Sequence, residues 1–302
     1  MEKRKLGKTG YEISCLCFGA MEMRSLNGES ADKILNTALD LGINYVDTSP
    51  EYPMSEYFIG KAISHRRNEF VLATKNCDNL TGIGAAFIFD RKTMMGNLED
   101  SLRLMKTDHI DVWQIHGATP YILTDGEYGE VMETMREAKK SGKVLHTGMT
   151  IRQGQPFEFA YPAGNAYNSS VMFSGWKDIE VIQLVYGALT RLAENSIQKA
   201  YDTNGTGMIA RGILKEYDDR YDARFDASKL YELFEEGETR NEFLMRYALT
   251  HPALASVVVG TKNINHLIEN VKTASKGRLS PEVYAEAKRR LNFACCVAGE
   301  VE

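Results

Sequence analysis

The sequence lacks the features that mark membrane, secreted and nucleic-acid-binding proteins. No apolar run reaches the roughly 18 residues that a membrane span requires, and Met1 to Lys5 leads into no apolar signal-peptide core. No basic run stands out, and the net charge is −5. These absences argue against a membrane anchor and against nucleic acid as a partner.

Cysteine is scarce and follows no recognisable framework. The five cysteines are Cys15, Cys17, Cys77, Cys295 and Cys296. They form no Cys-x-x-Cys pair and lie at no metal-ligand spacing from histidine, so no metal site is expected. The adjacent Cys295 and Cys296 suit neither a metal nor an ordinary disulfide. An odd number of cysteines without a framework is typical of reduced thiols, and we expect a cytoplasmic protein.

What the chain does have is a regular alternation of two patterns. Hydrophobic residues make up 43% and charged residues 25% of the 302 residues, values that are ordinary for a globular protein. Short apolar segments, each predicted as a β-strand, occur at Ser14–Phe18, Ile43–Asp47, Phe70–Lys75, Ile110–Ile115, Val144–Met149, Val181–Val185, Met208–Ala210 and Ser256–Val259. Segments with helical periodicity lie between most of them, including Ala31–Leu41, Arg91–Met105, Tyr128–Ser141, Arg191–Asp202 and Glu242–Thr250.

Alternating strands and helices predict an α/β fold with a parallel sheet, and eight strands are the number that closes a (β/α)8 TIM barrel. An N-terminal β-hairpin from Lys3 to Ser14 and a C-terminal helix complete the predicted fold. An open doubly wound sheet is the alternative, but it would usually show a GxGxxG turn after the first strand. The residues from Phe18 to Met23 do not match that pattern. No linker or change in composition divides the chain, so residues 1–302 are predicted to form a single domain.

Four polar residues lie at or near the ends of consecutive predicted strands. Asp47 closes the second strand, Lys75 closes the third, His116 follows the fourth, and Tyr52 lies in the loop after Asp47. The carboxyl ends of barrel strands converge on the face where barrel enzymes keep their active sites. Asp47 and Lys75 can pair there, and the ammonium can stabilise negative charge on Tyr52, whose phenol has an ordinary pKa of about 10. We therefore predict Tyr52 as a general acid and His116 as a neutral donor to a carbonyl oxygen.

Each of these residues also has an ordinary structural interpretation. Lys75 can simply end a strand, and Asp47 can cap backbone amides. Tyr52 can pack within its loop, and His116 can be a hydrogen-bonded polar residue. The occurrence of all four at neighbouring strand ends favours a shared catalytic site over four separate structural roles.

These motifs resemble those of the aldo-keto reductases, a family of (β/α)8 barrels that reduce aldehydes and ketones with NADPH. The similarity extends from Arg4 to Asn270 and so covers nearly the whole chain. Asp47-Thr48-Ser49-x-x-Tyr52 is similar to the family's Asp-Thr-Ala-x-x-Tyr element. Lys75 ends Leu-Ala-Thr-Lys and His116 ends Ile-Asp-Val-Trp-Gln-Ile-His, both at catalytic positions of the family.

The resemblance implies a site for NADP(H) and the residues that hold it. Gln183 matches a glutamine that binds the nicotinamide carboxamide, and Arg211 matches the side chain that covers the nicotinamide ring. The ordinary alternative for both is strand-end polarity. Thr261 and Lys262, beside a helix start, suit an adenosine phosphate. The residues that the resemblance assigns to the cofactor are Gly19, Ala20, Met21, Asp47, Thr150, Gln183, Arg211, Gly260, Thr261, Lys262, His266, Glu269 and Asn270.

Three features depart from the family's pattern. The usual Gly-Val-Ser-Asn is Gly148-Met149-Thr150-Ile151 here, so Ile151 removes an amide that could bind the carboxamide. His266 stands where an arginine often binds the 2′-phosphate. The segment of residues 151–178 is long and either walls a substrate pocket or packs against the barrel. Its aromatic residues are Phe157, Phe159, Tyr161, Tyr167, Phe173 and Trp176.

The sequence therefore predicts a cytoplasmic oxidoreductase that reduces an aldehyde or ketone with NADPH, with Tyr52 as the proton donor. Its expected partner is a small carbonyl substrate, and a monomer or small homo-oligomer is expected. Two other functions stay open at this point. One is a regulatory or sensor barrel that binds NADPH and turns over slowly. The other is an isomerase or epimerase that uses bound cofactor without net oxidation.

Overall fold

The computed structural model describes residues 1–76, 89–118, 123, 125–151, 169–214, 219–299 and 301. Its strands are β1 (Lys3–Lys5), β2 (Glu12–Ser14), β3 (Leu16–Gly19), β4 (Tyr45–Asp47), β5 (Val71–Asn76), β6 (Ile110–Ala118), β7 (Val144–Ile151), β8 (Val181–Val185), β9 (Gly207–Arg211) and β10 (Leu254–Gly260). Strands β3 to β10 form a closed parallel barrel in chain order, with β10 pairing back onto β3. Strands β1 and β2 form a separate antiparallel hairpin. The predicted barrel with its N-terminal hairpin is confirmed.

Helices follow most of the barrel strands. In the described ranges they are α1 (Gly28–Asp40), α2 (Ser55–Ala62), α3 (Arg91–Met105), α4 (Glu130–Lys140), α5 (Ser169–Ser174), α6 (Glu194–Asn204), α7 (Asp219–Ser228), α8 (Arg240–Thr250), α9 (Ile264–Lys276) and α10 (Pro281–Phe293). The last of them is the predicted C-terminal helix. Across the described ranges, every helix is too short or too polar to cross a membrane.

The inside of the barrel is packed with side chains from alternate positions of the strands. The hairpin closes its amino-terminal end, because Leu6 and Ile13 pack inside with the strand residues. Gly7 allows this approach, since its φ is +51° and a Cβ there would lie 2.2 Å from the Gly207 backbone nitrogen. The inner cluster consists of Leu6, Ile13, Cys17, Tyr45, Val71, Ala73, Val112, Val181, Ile209 and Ala255.

The helices bury one apolar stripe each against the outside of the barrel, as α1 illustrates. Asn27 caps this helix by accepting a hydrogen bond from the Ser30 backbone nitrogen at 2.9 Å. The spacing of its buried residues places them on one face of the helix. These residues are Ala31, Ile34, Leu35, Ala38 and Leu39.

The first barrel strand begins later than predicted. Ser14 ends the hairpin strand, where it lies opposite Lys3, and β3 begins at Leu16. The Ser14 hydroxyl donates to the Leu16 carbonyl at 2.7 Å, within the bend that separates the two strands. One apolar run therefore serves two sheets, which periodicity alone does not separate.

Candidate active site

The four residues predicted to carry the chemistry lie together at the carboxyl end of the barrel. Asp47 is the last residue of β4, and Lys75 is the last but one of β5. His116 lies within β6, which continues past the end predicted from the sequence. Tyr52 lies in the loop between β4 and α2. Parallel strands bring these separate segments to one end of the sheet, as the barrel topology requires.

Asp47 and Lys75 form a buried ion pair, as predicted. Lys75 Nζ donates to Asp47 Oδ2 at 2.7 Å and to the Thr48 carbonyl at 2.6 Å. The two side chains are only 1% and 4% exposed. Burial alone would lower the pKa of the Lys75 ammonium, but Asp47 and Tyr52 raise this pKa above its ordinary value. Lys75 therefore stays charged at neutral pH.

Tyr52 lies against this ammonium, with Lys75 Nζ 5.2 Å from the centre of its ring. Burial is the largest influence on the phenol and raises its pKa, whereas Lys75 and Arg211 lower it. Asp47 and Glu51 add to the upward shift, and the net pKa lies above the ordinary value. The expected stabilisation of the phenolate by Lys75 is therefore present, but burial exceeds it, and Tyr52 is protonated at neutral pH.

His116 contacts the loop that carries Tyr52. Its Nδ1 lies 3.2 Å from Glu51 Oε2 and 3.4 Å from Ser49 Oγ. The His116 and Tyr52 rings are nearly perpendicular, with centres 6.4 Å apart. Glu51 and Ser49 are not predicted as site residues. Their only signal in the sequence is their position in the loop between Asp47 and Tyr52.

The second carboxylate oxygen of Asp47 is held by two amides. Asp47 Oδ1 accepts hydrogen bonds from Gln183 Nε2 at 3.0 Å and from Gln114 Nε2 at 3.2 Å. Gln183 is predicted to bind the nicotinamide carboxamide, and it lies fully inside the site with its amide nitrogen directed at Asp47. Gln114 is missing from the predicted set. Its signal is its position two residues before His116, on the same face of β6.

Thr150 and Ile151 point to opposite sides of β7. Thr150 pairs with Gln183 in the barrel register, and its Oγ1 accepts a hydrogen bond from the Gly117 backbone nitrogen at 2.9 Å. Ile151 is fully buried in the outer apolar core, between the barrel and the helices. The side chain that replaces the family's asparagine is therefore a packing residue here, and an asparagine at this position would bury its amide among apolar groups.

The residues predicted to lie beside the cofactor after β3 are adjacent to the end of β10. Gly19 pairs with Gly260, and a Cβ on Gly19 would lie 2.7 Å from Val258 Cγ1. Ala20 is fully buried and Met21 is half-buried. The two strand ends thus approach closely, and the structure brings both predicted glycines together.

The end of β10 leads through a hydrogen-bonded turn into α9. Thr261 Oγ1 accepts a hydrogen bond from the Asn263 backbone nitrogen at 3.1 Å. Asn263 caps the helix by accepting from the Asn265 backbone nitrogen at 2.8 Å. Lys262 and His266 are exposed beside this helix start. The exposed Lys262 ammonium and the His266 imidazole next to helical amides are donors that suit a phosphate, so this end of α9 fits the adenosine phosphate of a nicotinamide cofactor.

The remaining predicted cofactor residues lie on β9 and on the next turn of α9. Arg211 ends β9 and is half-buried. Glu269 is exposed and Asn270 half-buried. A carboxylate and an amide suit the amino group of an adenine ring. All the residues assigned to the cofactor therefore lie along the ends of β3, β4, β7, β8, β9 and β10 and the start of α9.

The aromatic-rich segment is only partly within the described residues. Phe173 is fully buried, and Trp176 packs against it edge-on with ring centres 5.0 Å apart. Both belong to the outer core around the barrel. The predicted aromatic residues that lie outside the described residues are Phe157, Phe159, Tyr161 and Tyr167.

The sequence profile of the Aldo/keto reductase family matches residues 15–291. This chain belongs to the aldo/keto reductase family. Its relatives include the uncharacterized oxidoreductase YqkF of Bacillus subtilis (strain 168), which is 28% identical over 93% of this chain and 94% of its own. L-galactose dehydrogenase of Arabidopsis thaliana is 25% identical over 91% of this chain and 89% of its own.

A solved structure agrees with the barrel as a whole. The holo form of an aldo-keto reductase from Bacillus halodurans superimposes with a TM-score of 0.81 at 25% identity. The match covers 99% of this aldo/keto reductase and 98% of the Bacillus halodurans chain. The family is one of oxidoreductases that act on carbonyl compounds, and its members generally use nicotinamide cofactors.

Proposed function

We propose that this aldo/keto reductase reduces an aldehyde or ketone to an alcohol, with NADPH as the hydride donor and Tyr52 as the proton donor. The observation that carries the proposal is the buried Asp47–Lys75 pair at 2.7 Å, with Lys75 Nζ 5.2 Å from the Tyr52 ring. His116 lies beside the same ring. A protonated phenol, a fixed cation and an imidazole at one strand-end face are the groups that carbonyl reduction needs.

The residues along the strand ends fit a nicotinamide cofactor. Gln183 and Thr150 would hold the carboxamide, and Arg211 would cover the ring through its planar guanidinium. Lys262, His266 and the start of α9 would bind the adenosine phosphate. NADPH supplies the hydride when it is bound, and the protein supplies position and charge.

The chain's own residues carry out and support the proton transfer. Tyr52 gives its proton to the carbonyl oxygen as that oxygen gains negative charge. Lys75 lowers the cost of the phenolate that remains, because its ammonium is close and buried with little water to screen it. Asp47 keeps Lys75 charged and fixes its direction. The amides of Gln114 and Gln183 in turn hold Asp47 in place.

Product analysis tests this proposal against the two other functions. Purified protein is mixed with NADPH and a panel of simple aldehydes and ketones, and both the cofactor and the alcohol are quantified. The proposal predicts one alcohol formed for each NADPH consumed. Tight NADPH binding without turnover would indicate a sensor barrel. A rearranged product without loss of NADPH would indicate an isomerase or epimerase.

A further inference from the structure

The contact between Glu51 and His116 decides which proton His116 can offer to a substrate. His116 Nδ1 lies 3.2 Å from Glu51 Oε2. An ionised carboxylate can only accept hydrogen bonds, so Nδ1 must carry the hydrogen in this contact. A neutral imidazole has a single N–H group, so its other nitrogen, Nε2, is then an acceptor. A neutral His116 held this way cannot donate to a carbonyl oxygen.

We propose that Glu51 is a positioning residue that holds Nδ1–H of His116, so that His116 donates from Nε2 to the substrate oxygen only as the doubly protonated imidazolium. This inference rests on the proposed function, because it concerns the oxygen of the carbonyl substrate. It replaces the neutral donor expected from the sequence with a charged one. A cation at that position stabilises the developing negative charge more strongly than a neutral donor does.

The charges around His116 favour the protonated ring. Among the described residues, Glu51 is the carboxylate seen in contact with the imidazole. Its side chain is 35% exposed, and that of His116 is 19% exposed. Asp47 forms an ion pair with Lys75 at 2.7 Å. Because the two charges are opposite and close together, their effects on His116 largely cancel. Tyr52 is a further titratable neighbour and is neutral. Arg211 also acts on Tyr52, and its positive charge opposes protonation of the His116 ring, so the direct contact with Glu51 is what favours it. An adjacent carboxylate stabilises the charged form of histidine.

The proposal makes the rate of reduction depend on the protonation of His116. In reduction, the hydride adds to the carbonyl carbon and the proton of Tyr52 goes to the oxygen, while His116 keeps both of its protons. Reduction should therefore fall as pH rises through the titration of His116. Oxidation is the reverse of this step, so the hydroxyl proton of the alcohol returns to the Tyr52 phenolate and not to His116.

Titration of His116 by NMR tests the proposal without any need for activity. The His116 signals are assigned by their loss in His116→Asn, and their midpoint is measured in the wild type and in Glu51→Gln. We expect the midpoint to fall by about one pH unit in Glu51→Gln. Asp108→Asn is the matched control, because Asp108 contacts His109 at 2.6 Å beside the amino end of β6; the His116 midpoint should not move there.

Kinetics supply the second readout. The pH at which kcat/KM for reduction declines should shift together with the NMR midpoint. In Glu51→Gln this pH should be about one unit lower than in the wild type. In a His116→Asn background, Glu51→Gln should leave the pH profile unchanged. An unchanged His116 midpoint in Glu51→Gln overturns the role of Glu51, whether or not the protein reduces carbonyl compounds. A shifted midpoint in a protein that reduces no carbonyl overturns the proposed function instead.

Discussion

Gln183 and Asp47 are joined by a hydrogen bond, with Gln183 Nε2 3.0 Å from Asp47 Oδ1. The other carboxylate oxygen of Asp47 holds Lys75. A single carboxylate therefore links the residue proposed to bind the nicotinamide amide with the cation beside the proposed proton donor. A change at Gln183 can therefore alter the position of Lys75 through Asp47.

Gln183→Leu and Gln114→Leu form a matched pair of variants. Each variant removes one hydrogen bond from an amide to Asp47. A single hydrogen bond of this kind contributes a net 0.5 to 1.5 kcal/mol, roughly, to the stability of the protein. Only Gln183 is proposed to contact the cofactor, so Gln183→Leu should also weaken NADPH binding by about tenfold. Fluorescence titration with NADPH measures this difference. If NADPH binding weakened equally in both variants, the cause would be the altered Asp47, and the proposed contact of Gln183 with the cofactor would be wrong.

Asp47→Asn should strongly destabilise the fold. It leaves the ammonium of Lys75, which is 1% exposed, without its counter-charge. Removal of one partner from a buried pair commonly costs about 3 to 5 kcal/mol in the free energy of unfolding. Urea unfolding at neutral pH measures the loss. Asp40→Asn is the control, because Asp40 pairs with Arg66 at the surface and is 66% exposed; a loss there as large as in Asp47→Asn would contradict the account.

Much of this site could be predicted because strand ends are visible in the sequence. Asp47 and Lys75 close apolar strands, and a barrel sends every strand's carboxyl end to the same face. The contact of Glu51 with His116 could not be predicted in this way, since it depends on the path of a loop. The upward shift of the Tyr52 pKa also depends on the burial of this side chain, which sequence periodicity does not predict.

Other differences were within reach of the sequence. Side chains alternate along a strand, so an inward Thr150 requires an outward Ile151. The same alternation from His116 places Gln114 inside the barrel. The late start of β3 was harder to predict, because Ser14 and Leu16 belong to one apolar run that is divided between the hairpin and the barrel.

Lys262→Met should reduce the preference for NADPH over NADH. Lys262 is exposed beside the start of α9, where only the 2′-phosphate of NADPH would need its charge. A charge-assisted hydrogen bond contributes about 1.5 to 3 kcal/mol, so NADPH affinity should fall by about tenfold or more while NADH affinity stays constant. Lys272→Met changes an exposed lysine farther along the same helix and should alter neither affinity. Titration with NADPH and with NADH measures the two affinities. An equal loss of affinity for NADH would show that Lys262 does not bind the 2′-phosphate.

Glu180 should make stability depend on pH at the opposite end of the barrel. Burial alone would raise the pKa of this carboxyl, but His146 and Lys139 lower it to about 2. Their contacts are 2.9 Å and 2.6 Å. Because the folded pKa lies below the ordinary 4.5, the stabilisation is complete above about pH 4.5 and is lost as pH falls toward 2.

Glu180→Gln should therefore lower the free energy of unfolding by on the order of 2 kcal/mol at pH 7, after allowance for solvent screening, and the difference from the wild type should shrink below about pH 4.5. Urea unfolding at several pH values measures it. Glu99→Gln, which removes the surface partner of Lys143, should cost no more than about 1 kcal/mol at any pH. A difference between wild type and Glu180→Gln that does not change with pH would contradict the assignment.

The most direct test of the account is the rate of hydride transfer in Tyr52→Phe. Tyr57→Phe is its control, since Tyr57 lies five residues farther along the chain and is 40% exposed. Single-turnover reduction of a carbonyl substrate by bound NADPH should slow by about 10² to 10⁴-fold in Tyr52→Phe, with NADPH affinity unchanged, and should proceed normally in Tyr57→Phe. A wild-type rate in Tyr52→Phe on several substrates would contradict the assignment of Tyr52 as the proton donor.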